Sequence, residues 1–379
     1  MNPPSIMDND SPREILHFVK GRGVGSNHRS RFDAWQRERD LEHLEAQRTE
    51  EEPDEVLPAR DTDVQLVEAR SILSFNNSPD VGFDQSINPF QGCEHGCVYC
   101  YARPTHAYLG LSPGLDFETK IFAKSNAAEL LRKELARKSY KPSLIALGAN
   151  TDPYQPIERE LGITRAVLEV LSEFNAPVSI TTKSALVARD IDILAPMAKK
   201  GLARVNVSLA TVDPKLARIL DPRANAPHRR LRAMTELSEA GVPVAVFASP
   251  MIPAINDKEL ESILEAAAAA GATSASMIVL RLPLEVRDLF VEWLQEHFPL
   301  RAEHTMSLVR QMRGGADYDS GFGTRMRGTG QYATLLRQRF AIAVRRLGLE
   351  RVGGQSDTSM FRVPPAPEAQ GVLFPNCDS

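Results

Sequence analysis

Six short apolar runs alternate with amphipathic helical stretches through the middle of the chain, and this alternation limits the fold more than any other feature. The runs predict strands at Ser86–Phe90, Ser143–Gly148, Val178–Thr182, Arg204–Leu209, Val242–Ala248 and Ser276–Arg281. The intervening stretches predict helices at Asn126–Lys138, Ile163–Phe174, Val187–Lys199, Arg229–Ala240 and Lys258–Ala270. Strands that alternate with helices form right-handed βαβ units and a parallel sheet. The sequence therefore predicts an α/β fold, and periodicity alone leaves an open twisted sheet and a partial barrel as alternatives.

Polar residues collect just after the predicted strands. They are Thr151 and Asp152, Lys183 and Ser184, Thr211 and Asp213, Asn256 and Asp257, and Arg281. In both alternative folds the carboxyl ends of parallel strands form the working edge of the sheet. We therefore expect a functional site at this edge.

Composition and charge exclude several classes of protein. The chain has 379 residues and a formal net charge of −4, which gives no general attraction for nucleic acid or acidic membranes, although a local basic groove stays compatible with a nucleic-acid substrate. No run approaches the roughly 20 apolar residues that span a bilayer, and the N-terminus lacks the apolar core of a signal peptide. Three of the four cysteines lie close together, which favours metal binding in a reducing compartment over disulfides. We expect a cytoplasmic protein.

The sequence divides into four regions. Residues 1–65 are rich in charges of both signs, which predicts a disordered or solvated leader. Residues 80–285 carry the alternating strands and helices of the core. Residues 286–352 predict a helical and loop extension that packs on the core, with a helix at Gln331–Leu347. Residues 353–379 predict a flexible tail.

The three clustered cysteines carry the strongest chemical signal. Cys93, Cys97 and Cys100 are spaced by three and then two residues, and Gly92 and Gly96 free the backbone between them. Thiolates are soft ligands that suit zinc and iron–sulfur clusters. A structural zinc site wants four closed ligands, whereas three cysteines on a cluster leave one iron open. A noncatalytic interaction protein that holds zinc or an electron-transfer cluster is the alternative from another class.

The loop resembles that of the radical S-adenosylmethionine superfamily. The likeness rests on the C-x-x-x-C-x-x-C spacing, on Tyr99 before the last cysteine, and on the position after the first of six βα units. The segments INPFQGCEHGCVYCYAR, DFETKI and TDPYQPIE resemble, in order, the spore photoproduct lyase-like branch. This resemblance implies a partial (β/α)6 barrel of the TIM type with N- and C-terminal extensions.

The resemblance also implies a chemistry. A 4Fe-4S cluster on the three cysteines would bind S-adenosylmethionine and cleave it reductively to a 5′-deoxyadenosyl radical, which takes hydrogen from a substrate that is not identified. A nucleic acid is one candidate substrate, and a reductant such as flavodoxin or ferredoxin is expected. The lyases return hydrogen from a cysteine, but this chain has none between Cys100 and Cys377. Tyr318 and Tyr332 are alternative hydrogen donors.

The same resemblance suggests cofactor contacts on the first two strands. Tyr99 is expected beside the adenine. Thr151, Asp152 and Tyr154 follow the second strand, where the superfamily holds the amino group of the cofactor. Lys183, after the third strand, is read either as a substrate contact or as an exposed lysine.

Further cofactor contacts are expected after the later strands. Ser208 ends the fourth strand and would reach the ribose or the carboxylate. Arg223 or Arg230 would pair with the cofactor carboxylate, since a guanidinium binds a carboxylate through two hydrogen bonds. Asn256 follows a segment, Ser249–Pro253, that resembles the one along the adenine.

A glycine- and arginine-rich segment follows the predicted barrel. Arg310–Arg327 reads RQMRGGADYDSGFGTRMR, with Tyr318 and Phe322 among the arginines. Arginines and aromatic rings together bind single-stranded nucleic acid, whereas a glycine-rich loop closing the barrel mouth has the same composition. The sequence leaves both interpretations open.

Overall fold

The computed structural model describes residues 21–32, 61–352 and 357–365. In these ranges the strands are β1 (Asp63–Val67), β2 (Leu73–Phe75), β3 (Gln85–Ile87), β4 (Phe90–Gln91), β5 (Lys120–Lys124), β6 (Ile145–Leu147), β7 (Val178–Thr182), β8 (Ala203–Ser208), β9 (Val244–Met251), β10 (Ser274–Val279) and β11 (Glu350–Arg351). The α-helices are α1 (Leu115–Thr119), α2 (Ala127–Leu135), α3 (Glu158–Leu161), α4 (Ile163–Glu173), α5 (Ile191–Lys199), α6 (Pro214–Leu220), α7 (Pro227–Glu239), α8 (Leu260–Ala269), α9 (Val286–His297), α10 (Ala302–Gln311) and α11 (Gly330–Arg346). Short 3-10 helices lie at Arg103–Leu109, Ala185–Asp190 and Asp257–Glu259.

The main sheet confirms the predicted parallel α/β architecture. Its order is β11-β10-β9-β8-β7-β6-β3-β2, in which the six strands from β3 to β10 are parallel. At one edge β2 runs antiparallel to β3, and at the other β11 runs parallel to β10. The two edge strands do not pair, so the sheet is an open, partial barrel. All six predicted strands are present, with ends shifted by zero to three residues.

A second, three-stranded sheet was not predicted. In it β1 pairs parallel with β5, and β4 pairs antiparallel with β5. The run predicted as one strand, Ser86–Phe90, divides into β3 and β4 at Asn88-Pro89. Proline has no N–H for the main ladder, and the Pro89 carbonyl instead accepts the Lys124 N–H at 3.0 Å. This division turns the chain out of the main sheet directly before the cysteines.

Predicted helices agree with the structure except at two starts. The helix predicted from Lys258 begins as a 3-10 helix at Asp257, and its α-helix begins at Leu260. The helix predicted from Val187 begins as a 3-10 helix at Ala185, and the α-helix proper begins at Ile191. The Ser184 hydroxyl accepts the Leu186 N–H at 3.2 Å, and this cap starts the tighter helix. On α11, Leu336 and Phe340 are buried as predicted, whereas Leu335 is exposed.

Two hydrophobic groups hold the molecule together. The larger fills the space between the main sheet and its helices. The second joins the cysteine loop to α6, α9 and α10 and centres on Trp293, whose indole N–H donates to the Ile219 carbonyl at 3.0 Å. Val98 of the cysteine loop is fully buried in this second group. The loop is therefore anchored to the C-terminal extension as well as to the sheet.

The described parts of the two terminal regions contact the core. Residues 1–20 and 33–60 of the predicted leader lie outside the described residues, but Arg22, Val24 and Ser30 are buried. In the predicted tail, 353–356 and 366–379 lie outside the described residues. The ring of Phe361 lies 5.4 Å from that of Tyr140.

Candidate active site at the cysteine loop

The cysteine loop runs from Cys93 to Cys100 and follows β4 directly. Cys93 and Cys97 are buried, and Cys100 is half-buried. Gly96 has φ of 66°, in the left-handed region that glycine adopts without strain. A Cβ at Gly96 would also lie 2.8 Å from a carboxylate oxygen of Glu118. The turn between the first two cysteines therefore requires glycine.

The three thiols lie close enough to act on one another electrostatically. Burial raises the pKa of Cys93 well above its usual value, and the neighbouring charges of Asp152, Cys97 and Cys100 add to this. Burial likewise raises the pKa of Cys97 to about 12. Because a metal binds the thiolate, loading this site must release protons. The backbone of Asp152 acts in the opposite direction to burial and lowers the pKa of Cys93.

The donor set fits an iron–sulfur cluster better than a single ion. Within the described ranges, no group of three or more His, Cys, Asp or Glu side chains is arranged to hold one metal ion. Structural zinc needs four ligands around one atom, whereas a cluster of several irons is wider and keeps its ligands further apart. Cys377 lies outside the described residues.

One side of the loop is held by a buried ion pair. Arg103 and Glu118 are fully buried and lie 2.5 Å apart. Arg103 also donates to the Cys97 carbonyl at 2.9 Å and to the carbonyls of Pro113 and Gly114 at 3.2 and 3.1 Å. A buried charge needs this degree of pairing to be tolerated. Arg103 therefore fixes the backbone at the second cysteine.

The N-terminal segment 21–32 covers the same side, a contact that was not predicted. Gly23 N–H donates to Glu118 at 3.0 Å, and the Arg22 guanidinium donates to the Glu118 carbonyl at 2.7 Å. A Cβ on Gly23 would lie 1.6 Å from the Gly96 carbonyl oxygen. The amide of Asn27 exchanges two hydrogen bonds with Asp116. The glycine-rich run GRGVG was the only sequence signal for this close approach.

Asp152 is the acceptor at the end of β6. It accepts hydrogen bonds from the Thr182 hydroxyl at 2.7 Å, the Lys183 N–H at 2.7 Å and the Tyr154 N–H at 2.9 Å. His95 Nδ1 lies 3.3 Å away, too poorly aligned for a hydrogen bond. Burial would raise the pKa of Asp152, but the imidazole and these donors outweigh it and lower the pKa to about 2. His95 is itself buried.

Three predicted residues meet in one network. The Tyr99 hydroxyl donates to Asp221 at 2.6 Å, and Asp221 accepts from Arg230 at 2.6 Å. Arg230 also donates to the carbonyls of Ser208 and Asn225 at 3.0 and 2.6 Å. Burial raises the pKa of Asp221, but the charges of Arg230 and Lys183 and the hydrogen bonds from Tyr99 and Arg230 together outweigh it, so the net pKa is lowered. Asp221 was missed because nothing in the local sequence shows its two partners.

The two arginines expected at a cofactor carboxylate are paired inside the protein. Arg230 is buried against Asp221, and Arg223 donates to Glu94 at 3.1 Å. Glu94 also accepts from the Thr62 hydroxyl at 3.0 Å and the Ile157 N–H at 2.7 Å. Neither guanidinium is left without a counterion. The contact of Arg223 or Arg230 with the cofactor carboxylate stays a prediction, and both guanidinium groups already bind carboxylates distant in sequence.

Three other predicted residues direct their polar atoms into the protein. Tyr154 lies in the core, where its hydroxyl donates to Asp190 at 3.0 Å. The Asn256 amide bonds only backbone atoms, namely the carbonyls of Ala210 and Pro250 and the N–H of Ile252. Thr151 donates its hydroxyl to the Phe90 carbonyl at 2.8 Å. These residues shape the edge of the sheet.

Two cations on the opposite side of the loop are not paired in this way. The Lys183 ammonium lies 5.9 Å from the centre of the Tyr99 ring, and the side chain is half-buried rather than exposed. The Arg281 guanidinium lies 5.3 Å from the centre of the Tyr101 ring. Neither forms an ion pair with a carboxylate of the described residues. The sequence placed both at strand ends, and it singled out Lys183 as a substrate contact or an exposed lysine but gave Arg281 no role.

The segment after α10 closes the open side of the barrel. Arg313 donates to the Leu280 carbonyl at 2.6 Å, and Val279 N–H donates to the Met326 carbonyl at 3.2 Å. Arg325 donates to Asp80 at 2.5 Å, in the loop between β2 and β3. The segment thus joins the two edges of the main sheet. These internal bonds favour the closing-loop interpretation over an open nucleic-acid surface.

The comparison with known families decides the classification. Residues 87–267 match the radical SAM superfamily. An uncharacterised protein of Mycobacterium tuberculosis is 37% identical over 62% of this chain and 70% of its own length. One from Methanocaldococcus jannaschii is 27% identical over 52% of this chain and 71% of its own. This chain belongs to the radical SAM superfamily.

Solved structures agree with this membership at the level of the fold. Spore photoproduct lyase complexed with dinucleoside spore photoproduct has a TM-score of 0.54 at 15% identity, covering 76% of this chain and 81% of that one. A mutant with bound AdoMet and the dinucleoside gives the same values. The fold is thus the partial barrel of radical SAM proteins. Membership implies a 4Fe-4S cluster, S-adenosylmethionine and a reductant. Among the described residues, no helix is both long and apolar enough to cross a membrane.

Proposed function

We propose that this chain binds a 4Fe-4S cluster through Cys93, Cys97 and Cys100 and uses S-adenosylmethionine to take hydrogen from a substrate. When bound, these groups supply an electron and a 5′-deoxyadenosyl radical. The observation that carries the proposal is the meeting of three interacting thiols with polar groups at the carboxyl ends of parallel strands. The edge of the sheet is where α/β proteins place their chemistry.

The residues of the loop have distinct tasks in this proposal. Arg103 and Glu118 hold the cysteine backbone in a fixed shape, so that little reorganisation is needed on loading. The backbone of Asp152 favours the thiolate of Cys93. The hydrogen bond to Asp221 fixes Tyr99, whose ring would contact the cofactor. A rigid, water-poor setting is the main contribution of the protein where a cofactor carries the difficult chemistry.

Lys183 is the residue we assign to the cofactor carboxylate in place of the two predicted arginines. Burial lowers the pKa of the Lys183 ammonium, but the charges of Cys97, Asp221 and Asp152 raise it more, and the ammonium therefore lies close to the cysteine loop. Arg223 and Arg230 are already bound to Glu94 and Asp221. A Lys183 ammonium without a carboxylate partner has its hydrogen-bond donors available to a ligand.

The class of substrate is the least constrained part. Spore photoproduct lyase, whose fold this chain shares, binds a dinucleoside photoproduct, so damaged DNA is the first substrate to test. The donor of electrons in this proposal is a flavodoxin or a ferredoxin of the cytoplasm. Substrate and donor are proposals at the level of the family rather than of particular residues.

The test is anaerobic reconstitution followed by reduction in the presence of S-adenosylmethionine. We expect about four iron and four sulfide per chain and chromatographically detectable 5′-deoxyadenosine. Cys97→Ala should abolish the product, whereas Cys377→Ala, a cysteine outside the triad, should retain it. Stoichiometric zinc without sulfide would instead identify the noncatalytic metal-binding alternative.

A further inference from the structure

Arg281 is a cation at the mouth of the site whose contacts are all neutral. It is the second residue after β10, at the carboxyl edge of the main sheet. Its guanidinium donates to the Met326 sulfur at 3.3 Å and to the Tyr318 hydroxyl at 3.5 Å, and it lies over the Tyr101 ring. Its Nε is buried and has no hydrogen-bond partner among the described residues.

Other buried arginines of the chain are satisfied far better. Arg103 and Arg230 each bind a buried carboxylate and several carbonyls. Arg313 donates to three backbone carbonyls, although its Nε, like that of Arg281, has no hydrogen-bond partner among the described residues. Sulfur and a distant hydroxyl are poor acceptors by comparison, and a partly desolvated cation is costly when it is not paired. A guanidinium held in this state is suited to an anion from outside the protein.

Asp80, in the loop between β2 and β3, does not fill this role. The Asp80 carboxylate interacts electrostatically with the charge of Arg281, but its two oxygens accept hydrogen bonds from the Gly323 N–H and from Arg325. The negative charge of Asp80 is therefore balanced by Arg325, and Asp80 does not form an ion pair with Arg281. Tyr101 stacks beside Arg281 and directly follows Cys100, which places the guanidinium next to the cysteine loop.

We propose that Arg281, with the Tyr101 ring and the Tyr318 hydroxyl beside it, binds an oxyanion of the substrate, either a phosphate or a carboxylate. A guanidinium presents paired N–H donors that match two oxygens of one such group. The inference rests on the proposed function only in taking this mouth as the place where substrate enters. It restricts the substrate to molecules that carry an anionic oxygen group near the reacting carbon.

The experiment measures binding to the full-length, anaerobically reconstituted protein. Inorganic phosphate and acetate are titrated separately by calorimetry at low ionic strength, against wild type, Arg281→Gln and Arg281→Lys. The matched control is Arg287→Gln, a nearby arginine that is paired with Asp288 and Asp317. We expect Arg281→Gln to weaken binding about tenfold or more, because it removes charge-assisted hydrogen bonds to the anion. Arg281→Lys should retain part of the affinity, and the control all of it.

The two probes separate the sources of the oxyanion. Tighter binding of phosphate that Arg281→Gln removes supports a phosphorylated substrate, and the same pattern with acetate supports a carboxylate. Absence of binding to wild type, or binding that Arg281→Gln leaves unchanged, overturns the proposal.

A second measurement does not depend on the variant folding. Phenylglyoxal modifies accessible guanidinium groups, and peptide mapping of the wild type reports on Arg281 directly. Phosphate or acetate should slow its modification while leaving that of Arg232, an exposed helix arginine, unchanged. Equal rates at Arg281 with and without either anion would contradict the proposal. Formation of 5′-deoxyadenosine in the same samples reports separately on the proposed function.

Discussion

The two sides of the cysteine loop differ in how their charged side chains are paired. On the closed side, Arg103 and Glu118 are fully buried, paired with each other and covered by segment 21–32. On the open side, Lys183 and Arg281 lie at the strand ends, and neither has a carboxylate partner among the described residues. Paired buried charges stabilise one geometry, whereas unpaired ones are available to a ligand. Changes on the closed side should therefore alter stability, and changes on the open side should alter binding.

The largest effect is expected from breaking the buried pair. Glu118→Gln leaves the Arg103 charge uncompensated and should lower the free energy of unfolding by about 3–5 kcal/mol. Denaturant unfolding of the apoprotein measures this. Glu173→Gln removes the partner of Arg132 in an exposed pair and should cost less than about 1 kcal/mol. Similar losses in both variants would remove the distinction between buried and exposed pairs.

Adding one methyl group under the N-terminal segment should have a smaller effect. Gly23→Ala places a Cβ against the Gly96 carbonyl, and the overpacking should cost about 1–3 kcal/mol. The rate at which air bleaches the reconstituted cluster should also rise, because the segment would be displaced from the loop. Gly82→Ala is the control, since its Cβ would meet nothing within 4 Å. Unchanged stability in Gly23→Ala would show that the segment does not seal this side.

Removing the open-side lysine should affect binding and not folding. Lys183→Met keeps the side-chain length but loses the charge, so affinity for S-adenosylmethionine should fall about tenfold, or roughly 1.4 kcal/mol. The unfolding free energy should stay within about 0.5 kcal/mol of wild type. Equilibrium dialysis of the reconstituted protein measures the affinity. A loss of stability with unchanged affinity for S-adenosylmethionine would show that Lys183 supports the fold, as the closed-side residues do, and does not bind the cofactor.

The smallest expected effect is a pH dependence of the N-terminal contact. His28 Nε2 lies 2.7 Å from Glu292. Burial lowers the pKa of His28, but the hydrogen bond and charge of Glu292 raise it more, so the net pKa lies above 6.5. This contact should therefore stabilise the fold fully below pH 6.5 and lose its effect as pH rises through the raised pKa. His28→Gln should lower stability by about 1 kcal/mol or less near pH 6 and have no effect near pH 9. A larger stability loss for His28→Gln at pH 9 than at pH 6 would contradict the predicted direction of the pH dependence.

Sequence patterns predicted what depends on local periodicity and spacing. The six strands were found from their apolar runs, because parallel strands buried on both faces read as continuous hydrophobic segments. The cysteine spacing likewise identified the loop. The sheet of β1, β4 and β5 was missed because its short strands come from distant parts of the chain. Segment 21–32 was missed because its polar composition predicted a solvated arm.

Pairing partners account for the rest of the differences at the site. Arg223 and Arg230 had the right charge at plausible positions, yet Glu94 and Asp221 bind them in the fold. Lys183 and Arg281 matched the same pattern and have no carboxylate partner. Which cations are free depends on contacts between residues far apart in sequence, and one sequence does not contain that information.

The most direct test of the account is electron paramagnetic resonance of the reduced, reconstituted protein before and after addition of S-adenosylmethionine. We predict a 4Fe-4S signal that Cys97→Ala removes and that S-adenosylmethionine shifts in wild type, with a much weaker shift in Lys183→Met at the same concentration. A wild-type cluster whose signal S-adenosylmethionine leaves unchanged at saturating concentration would contradict the assignment of the open side as the cofactor and substrate face.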